Sequence, residues 1–245
     1  MCRFGRRRGH RPHPARPRMI YTLHYAPDNA SLIIRLALEE LGQPYRTALV
    51  DRRARAQDSA AYRALNPAGL IPVLETPDGP VSETAAILLW LSERHGALAP
   101  APGDSARGAF LKWLFFTSNT LHADLRIAFY PDRYAPGGEA ALLAGIKARL
   151  ASHFALLEAE CGRHDWLGGE GVSGLDLYLA PLMRWAQIYG AGPRWFDAAR
   201  YPRLMAMAGA LENRASVAAA IRAEGLGRAP FTAPQPCDPP EGSAL

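Results

Sequence analysis

An acidic residue and a hydroxyl residue, Glu83-Thr84, stand directly before an apolar helical run, Ala85 to Leu91. A helix N-terminus carries unpaired backbone N–H groups and partial positive charge, so it can bind a carboxylate. The Glu83 side chain supplies a negative charge for an ammonium group. The pair therefore predicts a site that binds an ammonium group and a carboxylate side by side.

A proline a short distance before this pair could add a backbone binding edge. The Ile71-Pro72 step follows a glycine turn and opens a short apolar strand, and a tight Pro-Asp-Gly turn comes next. A proline at the head of a strand either has lost a ladder bond or is held cis in a tight turn. In the cis form the N–H and C=O of Ile71 would be free to pair with a peptide-like ligand. The alternative is an ordinary β-hairpin followed by a helix.

Residues 66–87 as a whole resemble the glutathione site in the N-terminal, thioredoxin-like domain of the glutathione S-transferase family. Glutathione carries the matching groups. The resemblance implies that Glu83 faces the γ-glutamyl ammonium and that Thr84 binds its carboxylate. It also implies that Ile71 pairs with the cysteinyl backbone and that Pro72 holds that geometry. The alternative for Glu83-Thr84 is an exposed acid with a helix cap.

The chemistry implied is activation of the glutathione thiol, because the thiolate is the nucleophile. A hydrogen-bond donor and the positive end of a helix both lower a thiol pKa. Over roughly residues 19–228 the chain is most similar to the bacterial beta class, but Ala30 occupies the position of that class's cysteine. Mixed-disulfide chemistry is therefore not expected. The sulfur's partner stays open between Ser31, which we favour, Tyr25, Asn29 and backbone N–H groups alone.

The same resemblance assigns further residues around glutathione. Arg55 falls near a beta-class lysine for the glycyl carboxylate, although a one-residue gap leaves Arg53 as a competitor. His122 matches a beta-class histidine in the first long helix, where a structural role is the alternative. Four residues are expected to line the pocket for an electrophile, or else to belong to the helical core: Phe116, Arg126, Phe129 and Tyr130.

The hydrophobic pattern predicts two domains. Strand and helix signals up to residue 98 follow the order β-α-β-α-β-β-α, which matches the thioredoxin-like fold, a small mixed sheet with helices on both faces. A linker, 99–104, precedes helices at about 105–130, 139–161, 174–190 and 201–224, and these form an all-helical domain over 105–228. Ser173-x-x-Asp176 reads as a capping box. We therefore expect an α/β domain over 19–98 followed by an all-α domain.

Both ends of the chain differ from this globular part. Residues 1–18 hold seven arginines and no acid, and without them the chain has 21 basic and 23 acidic residues. We expect a disordered basic extension, with Met19 as an alternative start. Residues 229–245 hold five prolines and are expected to be a disordered tail. The three cysteines are scattered and show no metal or disulfide spacing, which favours a reducing cytoplasm.

Together these features predict a cytoplasmic glutathione transferase, a homodimer as is usual in the family. It would conjugate the glutathione thiolate to small hydrophobic electrophiles or reduce peroxides. Glutathione is a co-substrate, and no metal or organic cofactor, membrane or nucleic acid is implied. The alternatives are a non-catalytic glutathione- or protein-binding module of the same fold, and a glutathione-dependent isomerase or reductase. A nucleic-acid binder that uses the arginine-rich extension is a more distant alternative.

Overall fold

The computed structural model describes residues 20–190 and 195–244 of the 245-residue chain, so the predicted basic extension lies outside the described residues. The N-terminal part has the predicted order of elements. These are β1 (Tyr21–Tyr25), α1 (Ser31–Glu40), β2 (Tyr45–Leu49), α2 (Ala60–Leu65), β3 (Val73–Thr76), β4 (Gly79–Ser82) and α3 (Thr84–His95). The sheet order is β2-β1-β3-β4, with β1 parallel to β2 and antiparallel to β3. The thioredoxin-like prediction is confirmed.

The remainder of the described chain is helical, as predicted. Its helices are α4 (Arg107–Phe116), α5 (Ala123–Phe129), α6 (Pro131–Tyr134), α7 (Glu139–Glu160), α8 (Gly174–Ile188), α9 (Pro202–Glu212) and α10 (Ala215–Glu224). The predicted capping box begins α8: the Ser173 hydroxyl accepts from the Asp176 N–H, and the Asp176 carboxylate accepts from the Ser173 N–H. This exchange satisfies N–H groups that the first turn of a helix leaves unpaired.

Helix α1 is the central element of the molecule. Every residue from Ser31 to Leu38 is buried, and the helix contacts β1, α3, α8 and α10. Its run SLIIRLAL is apolar around most of the circumference, which is the pattern of a helix enclosed on all sides. Gly42, at φ +58°, follows the end of the helix in a backbone conformation that favours glycine. The N-terminus of α1 is thus fixed at the boundary between the two domains.

The first long helix of the second domain, predicted over about 105–130, is continuous over 107–129. It contains a π-helical turn between α4 and α5, residues Thr117–His122, which the sequence did not predict. Such turns occur as single insertions within α-helices and often at functional sites. This turn carries Ser118 and His122, which both line the cavity described below.

One helix of the described chain, α7, has the length and composition of a membrane span, with a mean hydropathy of 1.4. A single helix of this kind is weak evidence for a span. Four apolar residues of α7 are buried against the rest of the domain: Ile146, Leu150, Phe154 and Leu157. Their spacing of three and four residues is that of one face of an ordinary amphipathic helix.

The prediction of a disordered C-terminal tail is wrong for the described residues up to 244. Arg184, fully buried on α8, donates to the carbonyl oxygens of Leu226, Pro230 and Gln235 at 3.1, 3.0 and 2.8 Å. Phe231 is fully buried as well. A buried guanidinium needs acceptors for its five N–H groups, and the tail supplies two of them, Pro230 and Gln235. The tail is therefore part of the folded structure.

Candidate functional site

A cavity of about 550 Å³ lies between the two domains. Nine of the thirteen residues predicted for the site line it: Asn29, Ile71, Pro72, Glu83, Thr84, His122, Arg126, Phe129 and Tyr130. The other four, Tyr25, Ser31, Arg55 and Phe116, do not. Residues from both domains thus converge on one space, as a site for two substrates requires.

The acid-hydroxyl pair forms one corner of this cavity. Glu83 precedes the first residue of α3 and has φ +69° and ψ 115°, while Thr84 is buried. A positive φ at a residue with a side chain costs about 1–3 kcal/mol, and such strain clusters at functional sites. The Glu83 side chain makes no capping bond to the helix. It therefore remains available to a ligand beside the N-terminal N–H groups of α3.

Side-chain hydrogen bonds to the Leu70 carbonyl fix the loop that leads to Pro72. The Asn66 amide and the Tyr62 hydroxyl both donate to the Leu70 carbonyl, at 2.8 and 2.9 Å. The Ile71–Pro72 bond is cis, the second of the two alternatives that the sequence left open. Within the described residues, the backbone N–H and C=O of Ile71 have no hydrogen-bond partner. They are available to a peptide-like ligand.

The turn between β1 and α1 forms the opposite wall, through Asp28, Asn29 and Ala30. The Ser31 hydroxyl does not reach the cavity, because it donates to the Ala26 carbonyl at 3.0 Å and accepts from the Ala26 N–H at 3.3 Å, with Ser31 fully buried. The favoured sulfur donor is thus turned toward the backbone. A hydroxyl in the first turn of a helix often satisfies local backbone groups in this way.

Tyr25 is also directed away from the cavity. It is 2% exposed, and its hydroxyl donates to the Glu241 carboxylate in the C-terminal tail. Burial, and then Glu241, raise its pKa above the usual range of a tyrosine. Of the three predicted donors, only Asn29 lines the cavity. Its amide nitrogen donates to the Pro27 and Ala244 carbonyls at 2.7 and 3.2 Å.

Asp28, which the sequence did not indicate, holds this turn in place. Its carboxylate accepts from Arg184 Nε and Nη2 at 2.8 and 2.9 Å, from Trp185 Nε1 at 2.7 Å and from the Tyr189 hydroxyl at 2.6 Å. Its own N–H donates to Glu224 at 2.8 Å. A carboxylate that accepts this many bonds is fixed in position. The sequence does contain one sign of this partner: Arg184 lies in the apolar run of α8, and a buried cation requires a counter-charge.

Arg52, and not Arg55 or Arg53, is the arginine of the cavity wall from this loop. Arg55 has φ +53°, and its side chain is 78% exposed in a surface pair with Asp58. Arg53 is exposed as well. The Arg52 guanidinium donates to Asn29 Oδ1 at 3.3 Å, to the Tyr130 hydroxyl at 2.8 Å and to the Ala244 carbonyl. The predicted arginine, Arg55, therefore does not line the cavity, and Arg52 of the same segment does.

His122 and Tyr178 join the helical side of the cavity to the acid-hydroxyl corner. His122 Nδ1 lies 2.9 Å from the Tyr178 hydroxyl, and Tyr178 lines the cavity together with Ser118 and Thr84. Burial, and then the charge of Arg126, lower the pKa of His122 to about 4. The imidazole is therefore neutral near pH 7. The Tyr178 hydroxyl and His122 Nδ1 share a hydrogen bond whose donor is set by the tautomer of the neutral ring.

Three of the four residues predicted for the electrophile pocket line the cavity. Arg126, Phe129 and Tyr130 line the cavity, and Ile188 and Tyr189 face them from the end of α8. Phe116 was predicted with them, but it packs edge-to-face against Trp113 and His153, at centroid distances of 5.2 and 5.5 Å. It belongs to the helical core. Among the described residues, no cluster of three or more histidine, cysteine or acidic side chains is placed to hold a metal ion.

Comparison with known proteins agrees with this geometry. Family models described as the glutathione S-transferase N-terminal domain and C-terminal domain match residues 29–94 and 140–206. Glutathione S-transferase GST-4.5 of Xanthomonas campestris is 28% identical over 213 residues, which cover 83% of this chain and 98% of that protein. A maleylacetoacetate isomerase of Rhizobium meliloti is 29% identical over 191 residues, which cover 75% of this chain and 86% of the isomerase.

A solved structure extends the comparison. A sphingomonad glutathione S-transferase complexed with glutathione is 30% identical, with a TM-score of 0.68, and the alignment covers 84% of this chain and all of that one. The two family models fall on the two domains of the present fold, and the cavity lies between them. The chain therefore belongs to the glutathione S-transferase family.

Proposed function

We propose that this protein binds glutathione in the interdomain cavity and activates its thiol for conjugation to an electrophile. The observation that carries the proposal is the meeting of two helix N-termini in one cavity: α3, with Glu83 and Thr84 at its start, and α1, with Asn29 and Ala30. One helix end supplies a site for the γ-glutamyl group. The other supplies positive potential for a thiolate.

In this proposal the two ends of glutathione are bound by separate groups. Glu83 pairs with the γ-glutamyl ammonium, and the N–H groups that begin α3 bind its carboxylate together with the Thr84 hydroxyl. The cysteinyl backbone pairs with Ile71, and the glycyl carboxylate pairs with Arg52. This assignment uses the backbone groups of Ile71 that have no partner among the described residues.

The sulfur then lies at the start of α1. The N–H groups of the first turn are the available donors, since the Ser31 and Tyr25 hydroxyls are engaged elsewhere. The Asn29 amide joins them when the sulfur replaces the Ala244 carbonyl as its acceptor. Neutral His122 lines the same space without placing a charge in the cavity. The thiolate attacks an electrophilic carbon, a C–S bond forms, and the leaving group departs with its electron pair.

Calorimetry with reduced glutathione, followed by an assay of thiol consumption with an aryl halide, tests the proposal. Binding with consumption of glutathione above the uncatalysed rate supports a transferase. Binding without consumption would overturn the transferase in favour of a binding module or of an isomerase, and no binding would overturn all three. We further propose a cytoplasmic homodimer; sedimentation of the purified protein tests the dimer, and fractionation of cells tests the location.

A glutathione-dependent isomerase is the second candidate, and the similarity to the Rhizobium meliloti isomerase favours it. An isomerase returns glutathione unchanged after each turnover. The two candidates are separated by the ratio of glutathione consumed to product formed, which is one for conjugation and zero for isomerisation.

A further inference from the structure

The helical wall of the cavity carries two arginines that no carboxylate neutralises in the described part of the chain. Half-buried Arg126, on α5, donates from Nη1 to the Tyr134 hydroxyl at 2.5 Å. Exposed Arg133, on α6, lies over the Tyr130 ring at 4.6 Å. Neither guanidinium has an acidic oxygen within 4.0 Å among residues 20–190 and 195–244. Arginines in protein sites usually pair with carboxylates or phosphates.

The charges of glutathione do not neutralise these two arginines. At neutral pH glutathione has two carboxylates and one ammonium. In the proposed binding mode Arg52 and the N-terminus of α3 take the carboxylates, and Glu83 takes the ammonium. The other acid of the cavity lining, Asp28, is occupied by Arg184. Arg126 and Arg133 are then left for the second substrate.

We infer that the second substrate of this enzyme is an electrophile with an aromatic or apolar body and an anionic group, and that Arg126 binds the anion. The inference rests on the proposed function and names its substrate class. Phe129, Tyr130 and Ile188 provide the apolar surface beside Arg126. Arg126 is one helical turn beyond His122, so it lies close to the expected position of sulfur.

Partial burial makes Arg126 the principal anion site. A charged hydrogen bond away from bulk water is stronger than one that solvent screens. Exposed Arg133 is near the mouth of the cavity, where it attracts an incoming anion with a smaller effect on affinity. The half-buried Arg126 fork can bind a carboxylate through two parallel N–H groups.

A matched pair of substrates tests this inference. A chlorodinitrobenzoate and its methyl ester share one ring and one leaving group, and only the first has an anion. In both, the thiolate attacks the carbon that bears chlorine, a C–S bond forms, and chloride leaves with the bonding electrons. Each kcat/KM is divided by the uncatalysed rate with free glutathione, because the ester is intrinsically more reactive. We expect a preference of about tenfold for the carboxylate, the range of one charged hydrogen bond.

The Arg126→Gln variant should lose most of that preference, because removal of the guanidinium lowers kcat/KM for the carboxylate substrate far more than for the ester. Arg126→Lys should retain part of it, since the charge remains and the fork is lost. Arg163→Gln is the matched control: its side chain is 62% exposed and pairs with Glu160 outside this cavity. It should keep the full preference. A thermal melt of each variant checks that it is folded.

Binding of the two conjugates, made chemically, gives a readout that does not need turnover. The wild-type protein should bind the carboxylate conjugate about tenfold more tightly than the ester conjugate, and Arg126→Gln should bind both alike. Equal binding by the wild type, or an equal loss for both conjugates in Arg126→Gln, would overturn the inference. Consumption of neither substrate, with the binding preference intact, would instead overturn the proposed function.

Discussion

Asp28 and Arg184 form a buried ion pair that joins the turn before helix α1 to helix α8, with Nε–Oδ1 and Nη2–Oδ2 distances of 2.8 and 2.9 Å. Neither side chain has solvent-exposed area. Asp28 has φ +51°, a left-handed conformation that its side-chain bonds hold in place. Because Asn29 and Ala30 follow directly, this pair positions the N-terminus of α1 at the cavity.

The first prediction concerns this pair. Asp28→Asn should lower the free energy of unfolding by about 3 kcal/mol, because it leaves the Arg184 guanidinium buried without its counter-charge. Urea denaturation measures the change. Asp58→Asn, in an exposed pair with Arg55 and Arg63, is the control and should have little effect. Equal stability of the two variants would show that the buried pair does not hold the turn.

The second prediction separates Asn29 from Ser31. Asn29→Ala should raise the pKa of the bound glutathione thiol by about one unit, since it removes an amide donor near the thiolate. Ser31→Ala should leave that pKa unchanged and should lower stability by about 1–3 kcal/mol, because the Ala26 N–H and C=O lose their partner. Titration of thiolate absorbance and urea denaturation provide the two readouts. A higher thiol pKa in Ser31→Ala alone would reverse the assignment.

The third prediction concerns the ammonium site. Glu83→Gln should weaken glutathione binding about tenfold in calorimetry, because a charged hydrogen bond becomes a neutral one. Glu93→Gln, on the same helix in a half-exposed pair with Arg107, is the matched control and should bind normally. An analogue of glutathione without the amino group should bind both variants alike. If Glu83→Gln also weakened the analogue tenfold, Glu83 would act through the fold and not through the ammonium.

The fourth prediction concerns the C-terminal tail. The Ala244 carbonyl accepts from both Asn29 and Arg52, the groups assigned here to sulfur and to the glycyl carboxylate. A chain that ends at residue 240 keeps all three carbonyl acceptors of Arg184 and frees those donors. Calorimetry should therefore show that glutathione binds several-fold more tightly to the shortened chain, because the Ala244 carbonyl no longer competes for these donors. Weaker binding would mean that the tail is part of the glutathione site.

The elements could be predicted from the sequence because their signals are local. Gly42 ends α1, the Ser173–Asp176 box begins α8, and Glu83-Thr84 marks the start of α3 whatever surrounds it. Which arginine side chain reaches the cavity depends instead on the backbone conformation of the loop after β2. A left-handed residue at 55 and the 3-10 turn Ala56–Asp58 turn Arg55 outward and leave Arg52 as the one that reaches the cavity. The alignment left Arg55 and Arg53 as candidates, and neither lines the cavity.

The remaining errors come from partners that are distant in sequence. A proline-rich composition predicts disorder, but the tail is held by a guanidinium 46 to 51 residues earlier. Tyr25 donates to a carboxylate 216 residues away. No local pattern reveals such contacts. A cation within an apolar helix, as at Arg184, does indicate that acceptors exist, although it does not identify them.

The central claim is that the cavity binds glutathione and stabilises its thiolate at the N-terminus of α1. Ultraviolet absorbance of protein-bound glutathione across a pH series, with S-methylglutathione as the blank, tests it most directly. The account predicts a bound thiol pKa at least about one unit below the free value of roughly 8.5. A bound thiol that titrates like free glutathione, or an absence of saturable binding, would contradict it.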